Sequence, residues 1–261
     1  MKKIKNNMNL FHSALDNKKI VKKVRASTLA SYRWCSIKAW LQASGLEIPR
    51  NDNLSEGSII HNNIAKARMM SPQEKKFNDI IKSYKAEGVI SRPWLDGETS
   101  IVADGEITTH GYDDIKVDNK NRVTLIEYKT KAGWGIQATD FMPAQFQTQL
   151  YCWIMEPFLL MHGYRWKGAW LVYLKRGKDA DGNVIYHPIG ESAITDYNAL
   201  KVEADIRKIF KEWDDASRAK TDEERRRILV PPRRWKCGIC LRYSPEIYAK
   251  CPYQQGVRES V

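Results

Sequence analysis

The stretch GYDDIKVDNKNRVTLIEYKT, residues 111–130, reads as two short β-strands joined by a turn over Asp118–Arg122. Side chains alternate along a strand, so Glu127 and Lys129 project from one face and Tyr128 from the other. Leu125 and Ile126 just before them are apolar, which puts the pair at the end of a largely buried strand. Charges there are costly unless they are paired or metal-bound. If the preceding strand brings Asp114 alongside, two carboxylates and a lysine converge on a site able to bind Mg²⁺ or Mn²⁺ through oxygen ligands. Phosphodiester hydrolysis uses such parts: a metal to activate water and neutralise charge, and a lysine to orient the nucleophile or stabilise the transition state. An ordinary cross-face salt bridge has the same local pattern.

Further β-forming runs lie at Ser100–Glu106, Gly168–Leu174 and Val184–Pro188, the last two flanking the turn-rich Gly177–Asn183, and the expected sheet has about five strands. Helical patterns surround them. One starts at Ser27 and Thr28, carries Leu29, Tyr32, Ile37, Trp40 and Leu41, and ends at Gly45. Others cover Ser55–Met70, Pro72–Ala86 and Pro143–Met155, with Pro157 near the end of the last. Asp196–Ala216 sets Val202, Ile206, Ile209, Phe210 and Trp213 on one stripe. The expected organisation is a basic arm (1–25), a helical region with Cys35 and His61 (26–97), a core with the carboxylates (98–216) and a Cys-rich tail (217–261).

Composition narrows the class. With 43% apolar residues, nine Trp and twelve Tyr among 261 residues, the chain has the means to build a core, and 28% charged residues argue against a membrane protein. The net charge of +12 favours a polyanionic partner, nucleic acid first. Met1–Asn7 is basic but is followed by no apolar stretch of signal-peptide length, so an intracellular, cytoplasmic location is expected. Five cysteines in a reducing compartment point to a metal or cluster site rather than to disulfides.

Two more elements accompany the carboxylates. Gly57-Ser58-Ile59-Ile60-His61 puts His61 on a helix one turn after a glycine that permits close approach of another segment. Gln147 and Tyr151, four residues apart, stack on one helix face beside Phe146 and Leu150. Taken in order, Gly57-x-x-x-His61, Gly111-x-x-Asp114, Glu127-x-Lys129 and Gln147-x-x-x-Tyr151 resemble the RecB-like branch of the PD-(D/E)XK nucleases over residues 26–155. The resemblance implies that His61, Asp114 and Glu127 ligate a divalent ion, with the Tyr128 carbonyl as a further ligand. It makes Asp114, Glu127 and Lys129 catalytic and gives Gln147 and Tyr151 to DNA binding. Of the adjacent aspartates, Asp114 is preferred to Asp113 for its distance from Gly111.

Cys237-Gly238-Ile239-Cys240 and Cys251 form a tail cluster, and Cys35 stands far upstream. Spacing alone favours a Cys₄ zinc site. One cysteine before the core and three after it look like the iron–sulfur nucleases, among them the CRISPR-adaptation exonucleases, and that resemblance favours a 4Fe–4S cluster on Cys35, Cys237, Cys240 and Cys251. Cys152 falls outside the pattern and reads as a buried, unligated thiol.

The expected fold is therefore α/β, a central mixed sheet flanked by helices in a restriction-endonuclease-like core, with the N-terminal helices and the tail joined at a metal cluster. The expected function is a metal-dependent DNase, an exonuclease on single-stranded ends. Two alternatives stand beside it: a CRISPR-adaptation nuclease trimming DNA for an integrase, and a non-catalytic DNA-binding scaffold with a zinc site. DNA is the expected partner, with an integrase or helicase and self-association as further candidates and no membrane.

Overall fold

The computed structural model describes residues 23–45, 52–94, 105–133, 135–136, 138–194 and 197–229, together with 237, 240, 249 and 251. Seven strands and seven helices are formed among the described residues: β1 Lys23–Arg25, α1 Ala26–Ser31, α2 Ser36–Ala43, α3 Asp52–Ala67, α4 Pro72–Ser83, β2 Ile90–Trp94, β3 Gly105–Thr109, β4 Asp114–Val117, β5 Arg122–Lys131, α5 Ala138–Met161, β6 Arg165–Lys178, β7 Val184–Ile194, α6 Ala199–Arg218 and α7 Asp222–Ile228. No helix among them is long and apolar enough to cross a membrane.

The strands form two mixed sheets flanked by helices, where the sequence suggested one. In the first, β3 lies between β1, which is parallel to it, and β2, which is antiparallel. In the second the order is β4-β5-β6-β7, with only β5 and β6 parallel. The split arises because β3 pairs with two segments that show no clear strand pattern, Lys23–Arg25 at the end of the basic arm and Ile90–Trp94, instead of joining β4. The rest of the arm, and residues 100–104 of the expected strand Ser100–Glu106, lie outside the described residues. The parallel β5–β6 pair requires a crossover, and α5 supplies it.

The expected single helix from Ser27 to Gly45 is two. Cys35 adopts an extended conformation (φ −158°, ψ 110°) and caps α2, its Sγ accepting from Lys38 N at 3.4 Å. Helix α5 overruns its expected end, with Pro143 and Pro157 both inside. An interior proline costs about 3 kcal/mol, and here the burial of Phe146, Leu150, Trp153, Ile154, Met155 and Leu159 offsets it. Helix α4 opens with a capping box in which Ser71 and Glu74 each bond to the other's backbone N–H.

One hydrophobic core runs from Val24 to Leu229 through both sheets. Helix α6 contributes the predicted stripe of Val202, Ile206, Ile209, Phe210 and Trp213, all buried. The N-terminal helices dock against it: Trp40 Nε1 donates to Ser217 Oγ at 3.2 Å, Arg33 pairs with Asp205 at 2.6 Å, and the Tyr32 hydroxyl donates to Glu212.

Candidate active site

Strand β4 is shorter than β5. Their pairing ends at Asp114 opposite Ile126, which leaves Glu127–Lys131 without a strand partner on that side among the described residues. At this edge Glu127 is only 3% exposed. Lys129 Nζ lies 2.6 Å from Glu127 Oε1 and also donates to Gln147 Oε1 at 2.9 Å. Gln147 Nε2 in turn donates to the Tyr151 hydroxyl. The i,i+4 pair on α5 thus reaches the Glu-x-Lys pair on β5, and four of the residues singled out from sequence form one chain of hydrogen bonds.

His61 approaches from α3. The helix comes close because Gly57, one turn earlier, faces β5: a Cβ there would stand 3.2 Å from Thr130 Oγ1. His61 Nδ1 lies 2.9 Å from Asp113 Oδ1, and Asp113 Oδ2 accepts from Tyr128 N of β5 at 2.8 Å. Tyr128 turns its ring edge-on to the imidazole, 6.5 Å between centroids.

The structure brings Asp113, rather than the adjacent Asp114, beside His61 and Glu127. Alternation explains the choice. Asp114 lies opposite Ile126 and shares its face, whereas Asp113 falls to the side of Glu127. Asp114 is instead buried against Arg68, whose Nε lies 2.7 and 2.6 Å from its two carboxylate oxygens. Arg68 Nη2 also donates to Glu74 at 3.0 Å and to the Ile115 carbonyl at 2.6 Å. The guanidinium therefore ties α3, the capping box of α4 and β4 together. Sequence reasoning missed Arg68, which directly follows the last residue of α3.

Burial and the nearby Asp113 push the Glu127 carboxyl up to about 7, against the attraction of Lys129. The hydrogen bond to Asp113 raises the His61 imidazole. Two carboxylates and an imidazole around a buried negative charge are the donor chemistry of a hard divalent cation, and in this respect the residues fit one. Among the described residues no three His, Cys, Asp or Glu side chains are arranged to hold a metal ion; His61 and Asp113 bond to each other, and Glu127 to Lys129.

Cys35, the cap of α2, lies near two of the tail cysteines. Cys35 is close enough to Cys237 and Cys240 for their charges to act on one another, and Lys38 interacts with both Cys35 and Cys240. Burial raises the Cys35 thiol and pushes Cys240 up to about 11. Cys240 and Cys251 both pack against the core that contains Cys35. Cys152 is buried within α5, as a core thiol should be.

Two predictions follow from these contacts. An Asp113→Asn variant, which touches only His61 and the Tyr128 N–H, is expected to change thermal unfolding little, whereas Asp114→Asn strands Arg68 and destabilises by about 3–5 kcal/mol; the reverse pattern would make Asp113 the framework residue. Glu127 sets a pH dependence. Its folded value of about 7 stands above the ordinary 4.5, so in EDTA stability falls as pH rises between these values and the full penalty, on the order of 3 kcal/mol, is present above the upper one. Chemical denaturation at pH 5 and pH 8 should show that loss together with the loss from the raised His61 imidazole, and Glu127→Gln should remove the Glu127 part.

Comparison with known protein families finds no matching family model, and comparison with curated proteins finds no match.

Proposed function

We propose that this chain is a divalent-metal-dependent deoxyribonuclease of the PD-(D/E)XK type, acting as an exonuclease on single-stranded ends. The observation that supports this reading best is Glu127. It is a buried carboxylate just beyond the pairing of β4 with β5, with a second carboxylate, an imidazole and a lysine around it. Burying that charge is unfavourable for the fold alone, and a bound cation would compensate it.

His61, Asp113 and Glu127 would hold Mg²⁺ or Mn²⁺, with the Tyr128 carbonyl as a further ligand. Bound there, the ion supplies a Lewis acid and a water of lowered pKa. Lys129 sets a positive charge beside the phosphate and stabilises the negative charge that builds on its oxygens. Gln147 holds the lysine in place through its amide oxygen, and Tyr151 fixes the amide through its hydroxyl. Attack by water leaves no covalent enzyme intermediate. The net charge of +12 attracts the polyanionic substrate. Cys35, Cys237, Cys240 and Cys251 are proposed to bind a 4Fe–4S cluster that fastens the tail to α2; closing so long a loop gives the cluster a structural role.

The test uses the full chain purified without oxygen, labelled single-stranded and duplex DNA, and Mg²⁺, Mn²⁺ or EDTA. Metal-dependent cleavage is expected, and Lys129→Ala should lower it by roughly 10²–10³-fold or more, measured below the lowered melting temperature expected once Glu127 loses its ion-pair partner. Near-wild-type cleavage by that variant would remove Lys129 from the reaction, and a wild-type protein that binds DNA without cutting it would be a binding module. The visible spectrum of the same preparation separates iron–sulfur from zinc. Cys237→Ala should lose both the absorption and stability.

A further inference from the structure

Beside Lys129 lies an open cavity of about 320 Å³, between α1, α2, the end of β5 and the first turns of α5. Trp34, Lys38, Lys129, Lys131, Gln147 and Tyr173 are among its lining residues. Lys129 and Gln147 are also the hydrogen-bonded pair next to Glu127, so the cavity opens onto the candidate active site. Trp34 is half-buried, and Lys38 Nζ stands 5.1 Å from its ring centroid, which sets an indole and an ammonium side by side.

The basic lining continues beyond the cavity. Lys131 follows Lys129 on the same face of β5, about 7 Å further along. Strand register then puts Lys175 of β6 opposite Lys131, and His187 of β7 opposite Lys175. Directly opposed residues share a face, so a row of basic side chains crosses the sheet from the cavity to His187, which is exposed.

We propose that this cavity seats the terminal nucleotide of a single DNA strand, its base against Trp34 and its phosphates along Lys38, Lys131 and the row through Lys175 to His187. The assignment deepens the nuclease reading and rests on it, since that reading supplies the scissile phosphate at Lys129. Size sets the selectivity. The volume stands at the small end of ligand pockets and has room for an unpaired nucleotide, whereas a base-paired end is too bulky. Stacking on an indole tolerates any base, and the ammonium groups read phosphate, so the site chooses strandedness rather than sequence.

Binding is measured with the full chain in EDTA, by fluorescence anisotropy of a labelled single-stranded oligodeoxythymidine and of a blunt duplex of equal length. The single strand is expected to bind more tightly. Trp34→Ala should weaken that binding by roughly tenfold or more and leave the duplex unchanged, while Trp34→Phe retains it. Lys131→Ala, at the rim, should lower the salt dependence by about one released counterion, and it keeps the proposal testable if Trp34→Ala does not fold. Equal affinity for the duplex, or variants that bind like wild type, would overturn the assignment. Because no cleavage occurs in EDTA, the two readings fail separately. A protein that binds this way but does not cut with Mn²⁺ loses only the nuclease reading, and one that cuts while both variants bind normally loses only this site.

Discussion

Burying the Glu127 carboxylate is the constraint around which the rest of the site is arranged. Water cannot solvate a group with 3% of its surface exposed, so the protein must supply the compensating interactions. Lys129 provides the nearest positive charge, two residues along the same strand face, and Gln147 shares that ammonium from α5. The compensation is incomplete, since the carboxyl remains raised despite Lys129. On the metal-dependent reading proposed above, an entering cation would recover that penalty as binding energy.

A second buried charge network holds the first in place. Arg68 engages both oxygens of Asp114 and reaches Glu74 and the Ile115 carbonyl, so one guanidinium fastens the C-terminal part of α3 and the start of α4 to β4. A planar guanidinium that donates to several groups at once suits this task, and a lysine ammonium does not reproduce it. Gly57 does the complementary work near the other end of α3, where the missing side chain lets the helix lie close to Thr130. His61, between these two fixed points, is thereby carried to Asp113. The adjacent aspartates consequently have different tasks, Asp113 at the candidate active site and Asp114 in the framework that positions it.

The N-terminal helices connect the site to the cysteines. Cys35 caps helix α2, and Lys38 in its first turn interacts with that thiol and with Cys240 while also lining the cavity beside Lys129. Whatever fixes the tail against Cys35 therefore also shapes one wall of the cavity. Docking of these helices on α6 through Trp40, Arg33 and Tyr32 keeps that wall in place from the other side.

The sequence by itself determined what depends on neighbours along the chain. Strand alternation set Glu127 and Lys129 on one face, a four-residue helical spacing paired Gln147 with Tyr151, and the apolar stripe of α6 named the residues that are buried. These patterns are legible because a regular backbone fixes the direction of every side chain in it. Tertiary structure decided what depends on register between distant segments. Asp113 and Asp114 are indistinguishable by composition, and only the pairing of β4 with β5 assigns one to His61 and the other to Arg68. The division into two sheets follows from the choice of partners by β3, and Trp34 meets Lys129 across a cavity because α1 and α2 pack beside β5 and α5. Local sequence carries no record of such choices, since they are made by the burial of surfaces contributed from far apart in the chain.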